Sequence, residues 1–432
     1  MQKILFWGVC GASMSALACL SAKNYEVWGY DDFQTPNLKN INIATTIDAK
    51  FLKTFDIIVY TVAIANKNQL ISFCKSNNII IYERAEYLAL FSKQFSKVIA
   101  ISGTHGKTTT TAMIGEIFRV ANLNPTVHLG GIVNDWQSNY LVGNEIFITE
   151  ACEYNKSFLK LKPDVALITN IEAEHLDTYH SLENEQQAFM QFAKQSKLVI
   201  CESSININNA ITYGLDNSCF ISATDIMQKN GKYSFVCVIN GKNVGKISLK
   251  VLGKHNLLNA LGGIAVATQF NIEFELIKKA LENFNGVYRR LTKVAQNNLG
   301  THFLDYAHHP TEIQATLDTL NQLPHKNLVA IFQPHTYSRT LTLMNEFCSC
   351  FKCDELYLLP TYPARENYIA GGDALDLFYN LNGKVSCKYF NNAESLYYDL
   401  EKTLCKNTIV AWIGAGNIDR ICLEFTKKTN PN

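Results

Sequence analysis

The chain has 432 residues with 39 basic and 38 acidic side chains, which gives a formal net charge of +1. A charge this close to zero provides no global field for holding nucleic acid or an anionic membrane, so any recognition of phosphate must be local. Hydrophobic residues make up 47% of the chain and charged residues 18%, which excludes a disordered or fibrous protein and predicts two or three globular domains.

The beginning of the chain is compatible with two structures. Lys3 and the apolar run after it resemble a secretory signal, but they also fit a strand, a glycine turn at 8–11 and a helix at 12–22. The next segment, 25–32, continues as a second strand that ends in acids, which favours the strand, turn and helix. No run of about 18 apolar residues occurs elsewhere, and the thirteen cysteines follow no pairing pattern. We therefore expect a cytoplasmic protein with reduced thiols and no membrane span.

Apolar runs with high β propensity alternate with helical patterns along almost the whole chain, which predicts an α/β fold with mainly parallel sheets. We expect a Rossmann-like domain at 1–92, a central phosphate-loop domain at 93–287 and a second Rossmann-like domain at 288–432. The central domain should also contain a small antiparallel sheet, because 211–251 holds short strands and Asn240-Gly241 is typical of a type I′ hairpin. Other strands are predicted near 3–8, 26–30, 56–61, 79–82, 97–102, 146–150, 164–170, 198–201, 301–306, 327–332, 355–359 and 408–412.

The most informative segment joins a buried strand, VIAIS, to the sequence GTHGKT and then to a helix. Glycines let backbone N–H groups turn inward around an anion, and the helix N-terminus adds a favourable partial charge. Lys107 can reach the β- and γ-phosphates of a nucleotide, and Thr108 is placed to bind Mg²⁺. The general nucleotide-binding pattern requires another glycine where Ile101 stands, but the shorter form G-T-x-G-K-[ST] is satisfied. The residues predicted to bind ATP are Gly103, Thr104, His105, Gly106, Lys107, Thr108 and Thr109.

Two polar side chains follow later strands of the central domain. Glu150 ends the strand EIFITE, and His175 lies just after the strand VALITN. Alone, the first could be a solvated carboxylate and the second a loop histidine. Parallel sheets gather their ligands at the carboxyl ends of their strands, so after a phosphate loop these residues predict a metal site.

Seven motifs together resemble the Mur ligases, which add amino acids to the peptidoglycan precursor. In chain order they are GTHGKTTTT, ITEACEYNKSFL, TNIEAEHLDTY, GKHNLLNAL, FNGVYRR, LDYAHHPTEI and FQPHTYSRT. The resemblance extends from about residue 4 to 419 and is greatest to the member that joins L-alanine to the lactyl carboxylate of UDP-N-acetylmuramate. It implies an ATP-dependent, Mg²⁺-requiring ligase that forms an acyl phosphate, and a monomer or homodimer that binds neither nucleic acid nor membrane.

The resemblance also implies roles for residues of the ATP and metal sites. Thr108 and Glu150 would hold one Mg²⁺, while Glu150 and His175 would serve a second. Without the resemblance, a histidine and asparagine at a helix start could equally cap the helix, and a strand-terminal aspartate is commonly a turn former. The implied catalytic residues are Lys107, Glu150, His175 and Arg290. The implied ATP contacts beyond the loop are His255, Asn256, Arg290 and Asp305.

By similarity, the first domain binds the UDP of UDP-N-acetylmuramate and the third binds the amino acid. The first turn keeps one glycine of G-x-G-x-x-G but has Cys10 and Ser13 at the positions of the other two. Thr336 stands where the family often has a second arginine. The residues implied for the nucleotide sugar are Gly8, Gly11, Ser13, Asp31, Thr61, Ala63 and Asn139. The residues implied for the amino acid are Tyr306, His308, His335 and Arg339.

The sequence is compatible with three other functions. A murein peptide ligase would join a recovered tripeptide to the same nucleotide sugar. Folylpolyglutamate synthetase shares the type of phosphate loop, but nothing in the chain matches its pterin side. A non-catalytic sensor of nucleotide sugars could keep the fold, although the intact Lys107, Thr108, Glu150 and His175 argue against it. Either His175 or His308 could assist deprotonation of the amine.

Overall fold

The structure is a computed structural model that describes residues 1–33, 38, 40–64, 67–172, 176–179, 181–381 and 383–429. The predicted α/β class with mainly parallel sheets in a three-domain architecture is confirmed. The chain forms two compact units, one of Met1–Asp225, Phe235–Ile247 and Leu258–Asn285, the other of Ile226–Ser234, Ser248–Leu257 and Gly286–Asn432. The domain boundaries at 92 and 287 stay a prediction.

The first sheet is parallel and has the strand order β3-β2-β1-β4-β5. Its strands are β1 (Lys3–Trp7), β2 (Glu26–Tyr30), β3 (Asn42–Ile43), β4 (Ile57–Tyr60) and β5 (Ile80–Glu83). Its helices are α1 (Ala12–Ser21), α2 (Ala49–Leu52), α3 (Lys67–Ser76) and α4 (Arg84–Ser92). The strand order reverses between β1 and β4, and open α/β sheets bind ligands in the crevice outside the strand ends at such a point.

The second sheet has ten strands in the order β15-β14-β13-β12-β11-β10-β6-β9-β7-β8. They are β6 (Lys97–Ser102), β7 (Thr126–Val133), β8 (Ser138–Leu141), β9 (Ile146–Glu150), β10 (Val165–Ile168), β11 (Leu198–Glu202), β12 (Ile211–Gly214), β13 (Ile221–Lys229), β14 (Lys232–Ile239) and β15 (Lys242–Leu252). Its helices are α5 (Lys107–Val120), α6 (Leu176–Tyr179), α7 (Leu182–Lys194), α8 (Lys254–Gln269) and α9 (Phe274–Asn283), with a 3₁₀ segment at Tyr154–Lys160. Asn240 and Gly241 join β14 to β15 with φ of 48° and 73°, as the predicted type I′ turn requires.

The third sheet has the order β16-β17-β21-β18-β19-β20, with only β16 antiparallel to its neighbour among the described strands. Its strands are β16 (Thr292–Asn297), β17 (Gly300–Asp305), β18 (Asn327–Phe332), β19 (Glu355–Leu358), β20 (Ser386–Tyr389) and β21 (Thr408–Ile413). Its helices are α10 (Pro310–Leu320), α11 (Tyr337–Thr342), α12 (Met344–Cys350), α13 (Ala374–Asn380), α14 (Ala393–Thr403) and α15 (Ile418–Thr429). None of the helices in the described ranges combines the length and hydropathy that a membrane crossing requires. All thirteen cysteines are free thiols.

The first and second sheets share one hydrophobic core within the first compact unit. The rings of Phe95 and Phe147 stack at 4.9 Å between centroids, and Phe91 packs edge-on against Phe147 at 5.6 Å. A polar bridge joins the same two sheets, since His128 Nε2 on β7 lies 3.0 Å from Ser13 Oγ on α1. The turn after β1 is therefore held firmly against the central sheet.

Two buried histidines make the stability of the fold depend on pH. His128 and His302 are almost inaccessible to solvent, and burial lowers the pKa of each imidazole to about 4. The unfolded chain takes up these protons near pH 6.5, so the folded state loses stability as the pH falls from about 6.5 towards 4. We expect each histidine to lower the free energy of unfolding by about 2 kcal/mol between pH 7 and pH 5. Denaturant titrations at both pH values measure this, and His128→Gln should make the fall smaller. An unchanged fall in that variant would contradict the assignment.

Candidate active site

The phosphate loop has the strand–loop–helix geometry that its sequence predicts. Strand β6 ends at Ser102, and α5 begins at Lys107. Gly103 has φ of 137° and Gly106 has φ of 83°, a region that L side chains rarely adopt. A Cβ atom would also meet Thr169 Oγ1 at 2.1 Å from Gly103, and Asn259 Oδ1 at 2.5 Å from Gly106. Both conformation and space therefore require glycine at these two positions.

Two asparagines that the sequence interpretation did not select hold the loop in place. Asn170 Oδ1 accepts a hydrogen bond from His105 N at 2.7 Å, and Asn170 Nδ2 donates to His105 O at 3.0 Å. On α8, Asn259 Oδ1 accepts a hydrogen bond from Thr110 Oγ1 at 3.1 Å. Asn170 ends the segment VALITN and Asn259 lies in GKHNLLNAL, so both were inside the recognised motifs. Their contacts hold the loop in its observed conformation.

Lys107 is turned back onto its own loop. Its Nζ donates hydrogen bonds to Gly103 O at 2.5 Å and to Thr104 O at 2.9 Å, and it forms an ion pair with Glu153 Oε1 at 2.8 Å. Glu153 is only 2% exposed. A phosphate oxygen that bound the Lys107 ammonium would have to replace some of these acceptors. Glu153 is thus a member of the site that the sequence interpretation missed.

A strained turn places Glu153 beside the loop. Asn155 and Lys156, which lie two and three residues after Glu153, have φ of 52° and 54°. Two consecutive non-glycine residues therefore adopt the left-handed conformation. The buried Tyr179 hydroxyl donates a hydrogen bond to Glu153 O at 2.5 Å, and Lys156 N donates to the same oxygen at 2.9 Å. These contacts fix the backbone from which the Glu153 carboxylate points at Lys107.

Glu150 and Thr108 provide oxygen ligands of the kind that Mg²⁺ binds. Strand β9 pairs with β6 so that Glu150 lies opposite Ile101, next to the start of the loop, and Thr108 is the second residue of α5. Glu150 Oε1 accepts a hydrogen bond from Gly130 N at 2.7 Å, while Oε2 has no hydrogen-bond partner within the described ranges. Mg²⁺ is usually held by one or two protein oxygens together with substrate phosphates, so this donor set fits the ion. His175 lies outside the described residues.

The residues predicted for the nucleotide sugar surround the turn after β1. Gly8 N donates a hydrogen bond to Tyr30 O at 2.8 Å, and Asp31 Oδ2 accepts one from Cys10 N at 3.0 Å. Thr61 lies at the end of β4, against Gly8. These positions line the crevice where the strand order reverses.

Three further predicted residues border the same turn. Gly11 is the N-cap of α1, Ser13 lies in its first turn, and Ala63 belongs to the turn closed by the hydrogen bond from Ile64 N to Thr61 O at 3.2 Å. The structure therefore brings Gly8, Gly11, Ser13, Asp31, Thr61 and Ala63 to one edge of the first sheet.

Asn139 has structural contacts in addition to the predicted role at the sugar. Its Nδ2 donates hydrogen bonds to Ala12 O at 2.6 Å and to Ser15 Oγ at 3.1 Å. Asn139 on β8 thereby ties the second sheet to the beginning of α1. Its contact with a substrate stays a prediction.

Gly8 provides a direct test of the turn. Its φ is 89°, and an added Cβ would lie 2.4 Å from Thr61 Cγ2. We expect Gly8→Ala to lower the free energy of unfolding by about 2 kcal/mol, because the backbone strain adds to a steric overlap. Thr61→Ser removes the overlapping methyl group and should recover part of the loss in the double variant. Gly241→Ala is the matched control, because Gly241 has φ of 73° and no atom within 4 Å of the added Cβ. Equal losses in the two single variants, measured by chemical denaturation, would exclude the overlap.

The four residues predicted for the amino acid form one cluster in the second compact unit. The rings of Tyr306 and His308 pack edge-on at 5.4 Å, and those of His308 and His335 lie 6.0 Å apart. Arg339 Nη1 is 3.3 Å from His335 Nδ1. Burial, with the charges of nearby groups, lowers the pKa of His335 to about 4, so its neutral ring can accept a hydrogen bond from the guanidinium. Thr336, the N-cap of α11, has φ of 69°, a strained conformation beside the cluster.

The residues predicted for ATP in this unit lie around the end of β17. Arg290 packs over the Tyr306 ring at 5.1 Å and is 3.9 Å from Glu312 Oε1. Burial raises the pKa of Asp305 to about 6, although Arg290 and two hydrogen bonds oppose the shift. Those bonds, from Ala307 N at 3.0 Å and Thr316 Oγ1 at 2.9 Å, occupy both carboxylate oxygens.

The remaining two predicted ATP contacts open α8. His255 is exposed, and the side chain of Asn256 donates a hydrogen bond from Nδ2 to Leu252 O at 2.7 Å. The amide of Asn256 therefore has a structural partner within the protein. Contacts of His255, Asn256, Arg290 and Asp305 with ATP stay predictions.

Comparison with known families and proteins gives matches over nearly the whole chain. Residues 101–267 match the Mur ligase middle domain, and residues 289–416 match the Mur ligase glutamate ligase domain. A UDP-N-acetylmuramate–L-alanine ligase from Caldicellulosiruptor bescii is 38% identical, with 99% of both chains covered. The enzyme of the same name from Clostridium tetani is also 38% identical, over 97% of this chain and 96% of its own length.

Solved structures show the same similarity. The UDP-N-acetylmuramate–alanine ligase from Thermotoga maritima superimposes with a TM-score of 0.85 and 26% identity over 99% of both chains. A murein peptide ligase from Psychrobacter arcticus gives a TM-score of 0.69 and 21% identity over 98% of both chains, which establishes likeness of fold alone.

Proposed function

The chain belongs to the Mur ligase family, and we propose that it is an ATP-dependent ligase that joins L-alanine to the lactyl carboxylate of UDP-N-acetylmuramate. The observation that carries this proposal is the full-length similarity to ligases of that name, at 38% identity over 99% of both chains. The phosphate loop and the cluster around Arg339 supply the two kinds of binding group that the reaction needs. The product is a precursor of peptidoglycan.

In the first step, a lactyl carboxylate oxygen attacks the γ-phosphorus of ATP, so an acyl phosphate forms and ADP leaves. Negative charge spreads over the transferring group, and catalysis of such a step depends mainly on positioning and electrostatic stabilisation. Lys107 is the cation of the loop, and the free N–H groups at the start of α5 would favour the negative charge of the phosphates. Arg290 would supply a second positive charge.

Thr108 and Glu150 would hold Mg²⁺, together with His175. A bound Mg²⁺ would neutralise the charge of the phosphates and orient them. The contribution of the protein is to fix these oxygen donors at the adjacent ends of β9 and α5, where hydrogen bonding to Gly130 already orients the Glu150 carboxylate.

In the second step, the amine of L-alanine attacks the acyl carbon, phosphate leaves, and the nitrogen loses a proton as the amide bond forms. Arg339 would bind the carboxylate of the amino acid, since a guanidinium suits bidentate capture of that group. The amine must be deprotonated to attack, and His308, beside Glu312 at 3.5 Å, is placed in the same cluster. Exclusion of water would protect the acyl phosphate from hydrolysis.

An assay that omits each substrate in turn tests this proposal. ADP release should require ATP, UDP-N-acetylmuramate and L-alanine together, and the product should gain the mass of one alanine residue. A parallel arm offers the L-alanyl-γ-D-glutamyl-meso-diaminopimelate tripeptide instead of alanine. Turnover with the tripeptide alone would assign the chain to peptide recycling, and no turnover with either would remove the proposed activity. We further propose that the protein acts in the cytoplasm as a monomer or homodimer, in keeping with its thirteen free thiols.

A further inference from the structure

Arg84 is a half-buried cation at the edge of the first sheet that none of the predicted sites includes. It is the first residue of α4, directly after β5, and its side chain extends to the turn that follows β1. Arg84 Nη1 donates a hydrogen bond to Ser13 Oγ at 3.2 Å, across 71 residues of sequence. The guanidinium is thus placed beside the crevice at which the strand order reverses.

The guanidinium has no acidic partner in the part of the chain that the structure describes. Within the described ranges no carboxylate pairs with Arg84, and the bond to Ser13 uses one of the five N–H donors of the group. A guanidinium partly removed from water, with most of its donors unused by the protein, is suited to bind an oxyanion through two parallel hydrogen bonds.

The charge of Arg84 also affects the pKa of a residue in the second sheet. It contributes to lowering the pKa of His128 on β7, where burial is the main cause. Arg84 Nη1 and His128 Nε2 both lie beside Ser13 Oγ, at 3.2 Å and 3.0 Å, within one compact unit.

The beginning of α1 adds further hydrogen-bond donors beside Arg84, while the Asp31 carboxylate on the same turn accepts a hydrogen bond from Cys10 N. Its N-cap, Gly11, has no side-chain hydrogen bond, and the first turn contains no acidic residue. The free N–H groups of a helix N-terminus favour an anion, and here they lie next to Ser13 and the Arg84 side chain. The two features reinforce each other on the same side of the crevice.

We propose that Arg84 binds an oxyanion of the nucleotide-sugar substrate, through the pyrophosphate or the lactyl carboxylate, with Ser13 holding the guanidinium in position. This inference rests on the proposed function, because it takes the nucleotide sugar to be the ligand of this crevice. Arg84 would then be a substrate-binding residue of the first sheet.

Calorimetric titration in the presence of a non-hydrolysable ATP analogue tests the inference. We expect Arg84→Met to weaken binding of UDP-N-acetylmuramate by roughly 10- to 100-fold, as for the loss of a charge-assisted bidentate contact, with the affinity for the ATP analogue unchanged. UDP-N-acetylglucosamine, which lacks the lactyl carboxylate, identifies the group bound. A loss confined to UDP-N-acetylmuramate assigns the carboxylate, and equal losses for both ligands assign the pyrophosphate.

Lys93→Met is the matched control, because it removes an exposed positive charge from the other end of α4. Arg84→Lys keeps the charge but lacks the planar fork, so it should give an intermediate loss of affinity. This variant provides the test if Arg84→Met fails to fold. Affinities of a folded Arg84→Lys or Arg84→Met protein within twofold of wild type would overturn the inference. Failure of the wild-type chain to bind UDP-N-acetylmuramate would instead overturn the proposed function.

Discussion

Replacing Lys107 with methionine should reduce the rate of ADP formation by on the order of 10³-fold, because the transferring phosphoryl group loses its cation in the loop. The same change removes the ammonium from Glu153, which is 2% exposed. Breaking a buried ion pair on one side commonly costs about 3–5 kcal/mol, so Lys107→Met should also lower the melting temperature. Steady-state ADP release and thermal unfolding measure the two effects.

The double variant Lys107→Met/Glu153→Gln separates catalysis from stability. In the double variant the buried side chain at position 153 is an uncharged amide. We therefore expect the melting temperature to return towards that of wild type while turnover stays low. Lys97→Met is the control, because it removes an exposed lysine from the beginning of β6 without altering the loop. Turnover that recovers together with stability would show that Lys107 acts only by balancing Glu153, and it would remove the catalytic assignment.

Glu153→Gln alone examines the resting position of the lysine. The Glu153 carboxylate would compete with a triphosphate for the Lys107 ammonium, because the two side chains form an ion pair at 2.8 Å. Neutralising it should therefore tighten binding of the ATP analogue, and weaker binding would contradict the idea of competition. The same calorimetric titration provides the measurement.

The strands that could be predicted are those with continuous apolar runs. Strand β18 has the predicted bounds, 327–332, because its residues are buried on both faces of a parallel sheet. Strands β16 and β20 were not predicted. The sequences TKVAQN and SCKY lie at the two edges of the third sheet, where half-exposed polar residues carry no apolar signal. Pairing with a neighbouring strand, rather than local sequence, determines such edges.

The parts of the site that could be predicted are local in sequence. The loop at 103–108 joins a strand directly to a helix, so its conformation follows from adjacent residues. Glu153 and Arg84 depend on partners 46 and 71 residues away, Lys107 and Ser13, and only the folded chain brings them together. The consecutive left-handed residues Asn155 and Lys156, which aim Glu153, also have no clear sequence signature, since lysine rarely adopts this conformation.

Asn139 has structural contacts that similarity did not reveal. An asparagine near a glycine-rich segment was assigned to the sugar by similarity, yet its amide donates to Ala12 O and Ser15 Oγ. A polar side chain that joins two sheets has the same sequence appearance as one that contacts a ligand. Only the positions of the hydrogen-bond partners distinguish a structural role from binding.

Replacing Arg339 with alanine should raise the KM for L-alanine by roughly 10- to 100-fold and leave the KM for ATP nearly unchanged. The reason is that the guanidinium is the group of the cluster suited to bind the small carboxylate through two hydrogen bonds. Arg339 is the single arginine of α11 (Tyr337–Thr342), so no neighbouring guanidinium on this helix replaces the lost contact. Neutral His335, 3.3 Å from Arg339 Nη1, orients the guanidinium but carries no charge for the carboxylate.

L-alaninamide, which has no carboxylate, tests the assignment independently of KM values for other substrates. Wild type should use the amide far less well than L-alanine, whereas Arg339→Ala should use the two almost equally, because the group that distinguishes them is gone. Arg339→Lys retains a point charge without the fork and should lie between the two. Arg420→Ala, at an exposed position on α15, controls for the general loss of an arginine from this unit. An equal rise in the KM values for ATP and L-alanine would place Arg339 outside the amino-acid pocket, and the cluster around His335 would then need another ligand.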